Sequence, residues 1–491
     1  MYYVFWDSET VGRKINGFTQ IISLSAILTN EKFEEIDRIE NEISRLNKFC
    51  IPEIGALLVN NFDPNDINWQ QKQSSYEMVN SIAKKFNEWV NKYGEIIWIA
   101  YNNNFDSTLW RYNQYVNLVC DSIYAMDTLP CGQLDGLKFA HLLGSFSGDL
   151  KVPIADENDS AGRKSFRLEG LAKENSIDFE GAAHDALFDC LVLKDFVKKF
   201  ESNNKELFQA LINTSHKSKA RGLLDSSKDF IMSTAWYLGR RFDYPLSYVG
   251  VTDNNKNEAI LIDLREANPE LLEKDHLQLK KAFNEKKKRS IRKLYLNKNP
   301  IILDSSYFLQ KKDTFNISYE EAQKRHSMIQ ESKEFKNRLL SVAYDINSEN
   351  PFSNDYDYAE TALYAGFFNQ DENQLKAFHA EKDWNNKKKI IKSFKDPRLV
   401  ELGMNLVFNN DPLAMSENER KRVFSKISSR ITDSNIDKRG PFNTIPLARD
   451  ELVTLQQEAE EEENVERLKK LEGLHDYLDK VEKNLEEDGR N

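Results

Sequence analysis

The chain has 491 residues, 40% of them hydrophobic and 30% charged, and a formal charge of -11. That length exceeds one ordinary core and implies roughly three domains, while the composition excludes collagen-like and low-complexity chains. No run approaches the ~18 apolar residues of a membrane-spanning helix. Asp7 and Glu9 interrupt the first hydrophobic run where a secretory signal would continue it, so a cytoplasmic protein with no membrane association is expected.

Taken in chain order, the first 200 residues alternate strand-like and helix-like segments. Residues 2–8, 20–28 and 95–101 read as strands, and 76–93, 105–117, 166–175 and 184–200 carry apolar stripes at helical spacing. This alternation predicts an α/β domain over 1–200. From 201 a polar connection (NTSHKSKARG) leads into four short strand-like runs, FIMSTAWYLG, YPLSYVGVT, EAILIDL and RKLYLNKNPIIL, with a turn expected at 254–257. A small β-rich domain is expected over 201–350. The pattern is helical from about 317 onward, giving a helical C-terminal domain over 351–491 with breaks at NPFSND and RGPFNT. Four dispersed cysteines form no CxxC pair and read as reduced core residues.

Charge is unevenly distributed. From Asp450 to Asn491 there are 15 acids against 6 Lys and Arg, whereas Lys274 to Lys298 holds 10 basic residues and 2 acids. The net sign therefore excludes no polyanionic partner, because the local field decides such binding. A solvated charged helix is the plainer reading of the basic cluster KKKRSIRK (286–293).

Three segments of the first domain carry the chemistry. FWDSETVG (5–12) ends a strand with Asp7 and Glu9 two residues apart, hence on one face and repelling each other. AYNNNFDSTLW (100–110) ends a second strand in a polar turn, with Asp106 opening a helix. AHDALFD (183–189) places His184 at a helix start and Asp189 farther along it. Singly, each has a bland reading: Asp106 as a helix N-cap, His184 as a surface or core histidine, Asp189 as an exposed helical acid. Jointly, four acids and a histidine suit a two-metal phosphoryl-transfer site. Hard divalent cations prefer carboxylate oxygens, and a histidine titrating near 6.5 can take a proton from water at physiological pH.

DSETVG, NNNFD and HDALFD resemble the three motifs of the DEDDh exonucleases. SFRLEGLAKENSIDFEGAAHDALFDCLVLKDFV, EAILIDLREANPELL, KLYLNKNPIIL and LYAGFFNQDENQL extend the resemblance to bacterial exonuclease I. The resemblance implies a ribonuclease-H-like exonuclease domain, an SH3-like β-rich domain and an α-helical C-terminal domain. It also implies a monomeric, Mg²⁺-dependent 3′→5′ exonuclease that degrades single-stranded DNA to nucleoside 5′-monophosphates in DNA repair or recombination. Two ions would be bound, with Mn²⁺ able to substitute. Asp7, Glu9 and Asp189 would then hold one metal, with Asp7 bridging to a second held by Asp106, and His184 would be the general base. Ser8 and Val11 depart from the family pattern without removing a ligand.

Thr10, Tyr101 and Asn104 flank the motifs as candidate nucleotide contacts together with Glu9, packing being an equal reading for Tyr101. Arg289, Arg292 and WYLGRRF (236–242) are candidate channel residues, with burial as the plainer reading of Trp236 and Tyr237. The resemblance further implies a partner, the acidic C-terminal tail of single-stranded-DNA-binding protein. Two other readings stand beside this one: an RNA 3′-exonuclease, and a catalytically inactive nucleic-acid- or protein-binding module on the same fold.

Overall fold

A computed structural model of the chain describes all residues except 121–122, 157–160, 178–184, 287, 350–355 and 491. Strand β1 (Tyr2–Thr10) pairs antiparallel with β2 (Ile21–Thr29), which pairs antiparallel with β3 (Glu35–Ile43). After α1 (Ile54–Asn60), α2 (Ile67–Gln70) and α3 (Ser75–Tyr93), strand β4 (Ile96–Ala100) adds parallel to β1 on its other side. Helix α4 (Asn103–Val116) leads to β5 (Gly132–Asp135), parallel to β4, giving the order β3-β2-β1-β4-β5. Next come α5 (Gly136–Phe146), α6 (Leu168–Glu174), α7 (Ala186–Glu201), α8 (Lys205–Ile212) and α9 (Lys217–Ser226).

The period-2 alternation of β1 assigns its two faces. Val4 and Trp6 enter a core with Met78, Ile82 and Phe86 of α3 and Trp110 of α4, whereas Tyr3 and Phe5 enter a core with Phe139 of α5 and Val192 and Phe196 of α7. Asp7 and Glu9 continue the second face, so they point toward α7. Strand β4 (IIWIA) lies mid-sheet with helices on both faces, which is why it is continuously apolar. Helix α3 starts where expected because Ser74 and Glu77 form a reciprocal capping box. Strand β3 and the four-residue β5 were not expected. EIDRIENEI is an edge strand with charges on both faces, and β5 is too short to show a period.

The second sheet is an antiparallel meander of β6 (Ile231–Tyr237), β7 (Arg240–Thr252), β8 (Asn255–Asp263) and β9 (Ile291–Tyr295), as the four runs predicted. The β7–β8 turn falls at residues 253–254, just ahead of the expected position. The β6–β7 turn takes positive φ at Leu238 (46°) and Gly239 (68°), the backbone hand that matches strand twist in two-residue hairpins. A Cβ on Gly239 would lie 2.5 Å from the Lys164 carbonyl oxygen, so glycine is required there. Helices α10 (Pro269–Glu273) and α11 (His276–Phe283) interrupt the meander, and α12 (Tyr319–Glu331) and α13 (Lys333–Glu349) follow it. Among the described residues six further α-helices follow: α14 (Glu372–Ala380), α15 (Trp384–Ile391), α16 (Pro397–Asn410), α17 (Glu417–Ile431), α18 (Ile445–Glu461) and α19 (Val465–Arg490). The expected break at NPFSND lies outside the described residues. Among the described residues no helix is long and apolar enough to cross a membrane.

The C-terminal helices reach back to the first sheet. Lys14 Nζ and Asn16 Nδ2 in the β1–β2 loop donate to the carbonyls of Phe442 (2.8 Å) and Pro441 (2.7 Å), and Val11, Ile22, Ile54 and Leu57 share a core with Leu399, Leu452 and Leu474. Asn299, 5% exposed with φ 43°, joins the two sheets. Its Oδ1 accepts the Asp135 N–H at 3.0 Å, and its Nδ2 donates to the Leu211 carbonyl at 2.8 Å and to Thr214 Oγ1 at 3.0 Å. Asn299→Ala leaves buried groups unpaired and puts a non-favoured residue in the left-handed region. It is expected to lose about 2–4 kcal/mol of stability, read as a lower urea midpoint.

Candidate active site

Three elements converge at the C-terminal end of β1. Its last turnward residues present Asp7 and Glu9, and α7, packed on that face, presents Asp189 from its first turn. Each of the three offers a carboxylate oxygen, and these oxygens all lie within 4.8 Å of one another. Helix α7 can start there because Asp185, its N-cap, accepts the Leu187 and Phe188 N–H groups, each at 3.1 Å. His184, the expected base, lies outside the described residues.

Asp106 does not cap its helix. The N-cap is Asn102, held in the left-handed region (φ 62°) with its N–H donated to Asp135 Oδ1 at 3.1 Å. Helix α4 thereby starts earlier than expected and Asp106 falls on its fourth residue, buried, where Ser8 Oγ donates to its Oδ1 at 2.7 Å. The capping role is thus excluded and the carboxylate is tied to the strand between the other two acids. Ser8, which sequence reasoning passed over as a neutral departure, is that tie.

Burial and neighbouring negative charge raise the titration of Asp7, Glu9 and Asp106. Burial pushes Asp7 well above the carboxylate range, followed by the charges of Asp106, Glu9 and Asp189. Burial, with Asp189, Asp106 and Asp185, pushes Glu9 up to about 8. Burial raises Asp106 to about 7 against the opposing hydrogen bond from Ser8. The charges acting most strongly on Asp7 and Glu9 are all negative, and a compact all-oxygen donor set of this kind suits hard cations such as Mg²⁺ or Mn²⁺.

A cleft of about 750 Å³ opens beside the acids. Ser8, Glu9, Thr10 and Phe105 line one side, Leu58, Val59 and Asn60 of α1 another, and Glu451, Leu455, Arg467 and Lys470 of α18 and α19 close it. No local pattern in the sequence marks the C-terminal helices as part of this wall, because only tertiary packing brings them there. Glu451 accepts the Ile54 N–H at 2.8 Å, which ties α1 to α18.

The remaining candidate contacts divide. Thr10 lines the cleft, its Oγ1 donating to the Gly12 carbonyl at 2.7 Å. Asn104 is half-buried in the first turn of α4. The Tyr101 hydroxyl donates to the Phe166 carbonyl and its ring packs against the core shared by α5 and α7, which is the packing alternative. Arg289 and Arg292 do not line this cleft. Arg289 is exposed, with Nε donated to the Glu285 carbonyl at 2.7 Å. Arg292 shares the fully buried Asp263 with Arg265, the two guanidiniums lying 4.5 and 4.8 Å from the centre of the Tyr244 ring. Trp236 packs against Phe166 and donates to Ser145 Oγ at 2.9 Å, whereas Tyr237, one residue on and so on the other face, is 69% exposed.

A mixed five-stranded sheet flanked by helices, with acids gathered at the end of its first strand, is a ribonuclease-H-like architecture. Here it is joined to an SH3-like sheet and a helical C-terminal domain. Comparison with known proteins places that combination more closely. Residues 357–481 match the model of the exonuclease I C-terminal domain. The exodeoxyribonuclease I of Haemophilus influenzae is 24% identical over 375 residues, spanning 72% of this chain and 74% of that protein. Among solved structures, a moderately thermophilic exonuclease I from Methylocaldum szegediense has a TM-score of 0.81 at 18% identity, covering 98% of this chain and 99% of its own. E. coli exonuclease I in complex with a dA16 oligonucleotide also gives 0.81, at 20% identity with the same coverage. The E. coli protein is known in a zinc-bound complex with single-stranded DNA (TM-score 0.80, 21% identity) and in a structure described as SSB/exonuclease I with an inhibitor (0.78, 20%), again covering 98% and 99% of the two chains. The resemblance to bacterial exonuclease I drawn from the motifs is borne out, and the fold extends over nearly the whole chain.

Proposed function

We propose that this chain is a metal-dependent 3′→5′ exodeoxyribonuclease acting on single-stranded DNA. The observation that carries the reading is the gathering of Asp7, Glu9 and Asp189 oxygens within 4.8 Å, at the edge of a cleft large enough for a terminal nucleotide. On this reading Asp7, Glu9 and Asp189 would hold one Mg²⁺, and Asp106, oriented by Ser8, would hold a second together with Asp7. Such a pair of ions, when bound, stabilises the attacking and leaving oxygens of an in-line displacement. His184 takes the proton of the attacking water. Thr10 and Phe105 contact the terminal nucleotide, and α1 with α18 and α19 confines the strand. Release of nucleoside 5′-monophosphates follows from breaking the bond to the 3′-oxygen.

The related E. coli structures with oligonucleotides and with SSB support single-stranded DNA and the SSB tail as partners. The reading includes three structural units at 1–200, 201–350 and 351–491, a monomeric state, a cytoplasmic site of action and a role in DNA repair or recombination, with Mn²⁺ able to replace Mg²⁺.

His184→Ala is expected to abolish nucleotide release while leaving affinity for the oligonucleotide largely intact. Undiminished hydrolysis would remove the base assignment. The substrate is tested by digesting end-labelled single-stranded DNA, duplex DNA and RNA of one sequence side by side. The single-stranded DNA is expected to shorten fastest, and faster release from RNA would make the protein an RNA 3′-exonuclease instead.

A further inference from the structure

An irregularity in the edge strand touches the helix that carries Asp189. Across from Ser25 of β2, strand β3 fits two residues, Glu40 and Asn41, between the pairs Leu24–Glu42 and Ala26–Ile39. This is a bulge, and bulges re-aim side chains. Asn41 takes φ 45°, a left-handed backbone that asparagine tolerates better than most residues. Ser25 locks it from both sides: Ser25 Oγ accepts the Asn41 N–H and donates to Asn41 Oδ1, each at 2.9 Å. The redirected side chain then reaches α7. Its Nδ2 donates to Asp185 Oδ2 at 3.0 Å, and its Oδ1 accepts the Leu187 N–H at 3.3 Å.

A second anchor lies one residue beyond Asp189, where Cys190 Sγ donates to the Ser25 carbonyl at 3.3 Å. Ser25 is itself the cross-strand partner of Asp7. Asp189 therefore sits between two attachments of α7 to Ser25, one through Asn41 and one through Cys190, and Ser25 stands opposite the acid that Asp189 must meet. We propose that Asn41 is a positioning residue of the nuclease site. The bulge in β3 sets the register of α7 on the sheet, and so the placing of the Asp189 carboxylate against Asp7 and Glu9. The inference rests on the metal-site reading above, and its partners are chemically reversible, which makes it testable by exchange.

Asn41→Asp sets two carboxylates against each other, and Asp185→Asn sets two amide groups face to face while keeping an oxygen to cap α7. The double exchange restores one donor and one acceptor across the contact. The measurements, on the full chain, are kcat and KM on 5′-labelled oligo-dT with Mg²⁺, and Mn²⁺ affinity by calorimetry without DNA. Each single variant is expected to lose about 10–100-fold in kcat and in Mn²⁺ affinity, with KM for the oligonucleotide little changed, and the double variant to recover to near wild type. Ser25→Ala, which removes the lock on Asn41 without touching α7's cap, is expected to show a smaller loss of the same kind. Single variants as active as wild type, or a double variant no better than either single one, would overturn the proposal. A wild-type protein that binds Mn²⁺ but hydrolyses neither DNA nor RNA would instead overturn the nuclease reading, and the Mn²⁺ affinities of the exchange set would still decide the role of Asn41.

Discussion

Asp7→Asn is expected to reduce metal-dependent release of nucleotides by ~10³-fold or more, and at the same time to make the metal-free protein more stable. The first effect follows, on the proposed two-metal reading, from losing a carboxylate that would serve both ions, since an ion in such a site supplies several kcal/mol of transition-state stabilisation, and every ~1.4 kcal/mol is tenfold in rate. The second follows from the environment. Asp7 is half-buried beside Asp106, Glu9 and Asp189, and desolvation together with their charges is what pushes its titration so high. A neutral amide of the same shape removes the cost of charging that group. Melting curves in EDTA at pH 8 should show the variant above the wild type, the usual mark of a site in which function is held at the expense of stability. A variant destabilised in EDTA would mean that the acids are structurally satisfied without a cation.

The second large effect is in the pH dependence of stability. Glu9 and Asp106 titrate from ordinary values of 4.5 and 3.8 up to about 8 and about 7 in the folded protein. A raised folded value means that the folded state binds more protons than the unfolded one. Their contribution is fully present below the unfolded values and is lost as pH rises toward 7 and 8, at ~1.4 kcal/mol per pH unit for each extra proton bound. The metal-free protein should thus lose stability between pH 5 and 8.5. Cations bind the deprotonated ligands, so Mg²⁺ should flatten that slope. The rise in Tm on adding Mg²⁺ is expected to be clearly larger at pH 8.5 than at pH 6, and equal rises at both would count against a carboxylate metal site.

How much of this could be read from the chain differs by residue. Strand β1 was legible because an apolar run ends abruptly in two acids, and the same alternation that buries Tyr3 and Phe5 against α7 aims Asp7 and Glu9 at Asp189. Asp106 was legible only in company, since its own position suggested a cap, and the left-handed Asn102 that displaces it leaves no pattern in the sequence. Strand β3 was hidden by its charges, and with it Asn41, whose side chain is redirected by a bulge. Arg292 looked like part of a basic patch, yet its charge is engaged by Asp263, 29 residues earlier on the neighbouring strand. The closing wall from α18 and α19 lies more than 430 residues beyond β1, beyond the reach of any local period.

The most direct test follows the strand ends. With 5′-labelled single-stranded DNA and Mg²⁺, the wild-type protein should yield a ladder of shrinking fragments that keep their label, with unlabelled nucleoside 5′-monophosphates in solution and no reaction in EDTA. Undiminished hydrolysis in EDTA, or early release of the labelled 5′-nucleotide, would contradict a 3′→5′ nuclease built on Asp7, Glu9, Asp106 and Asp189.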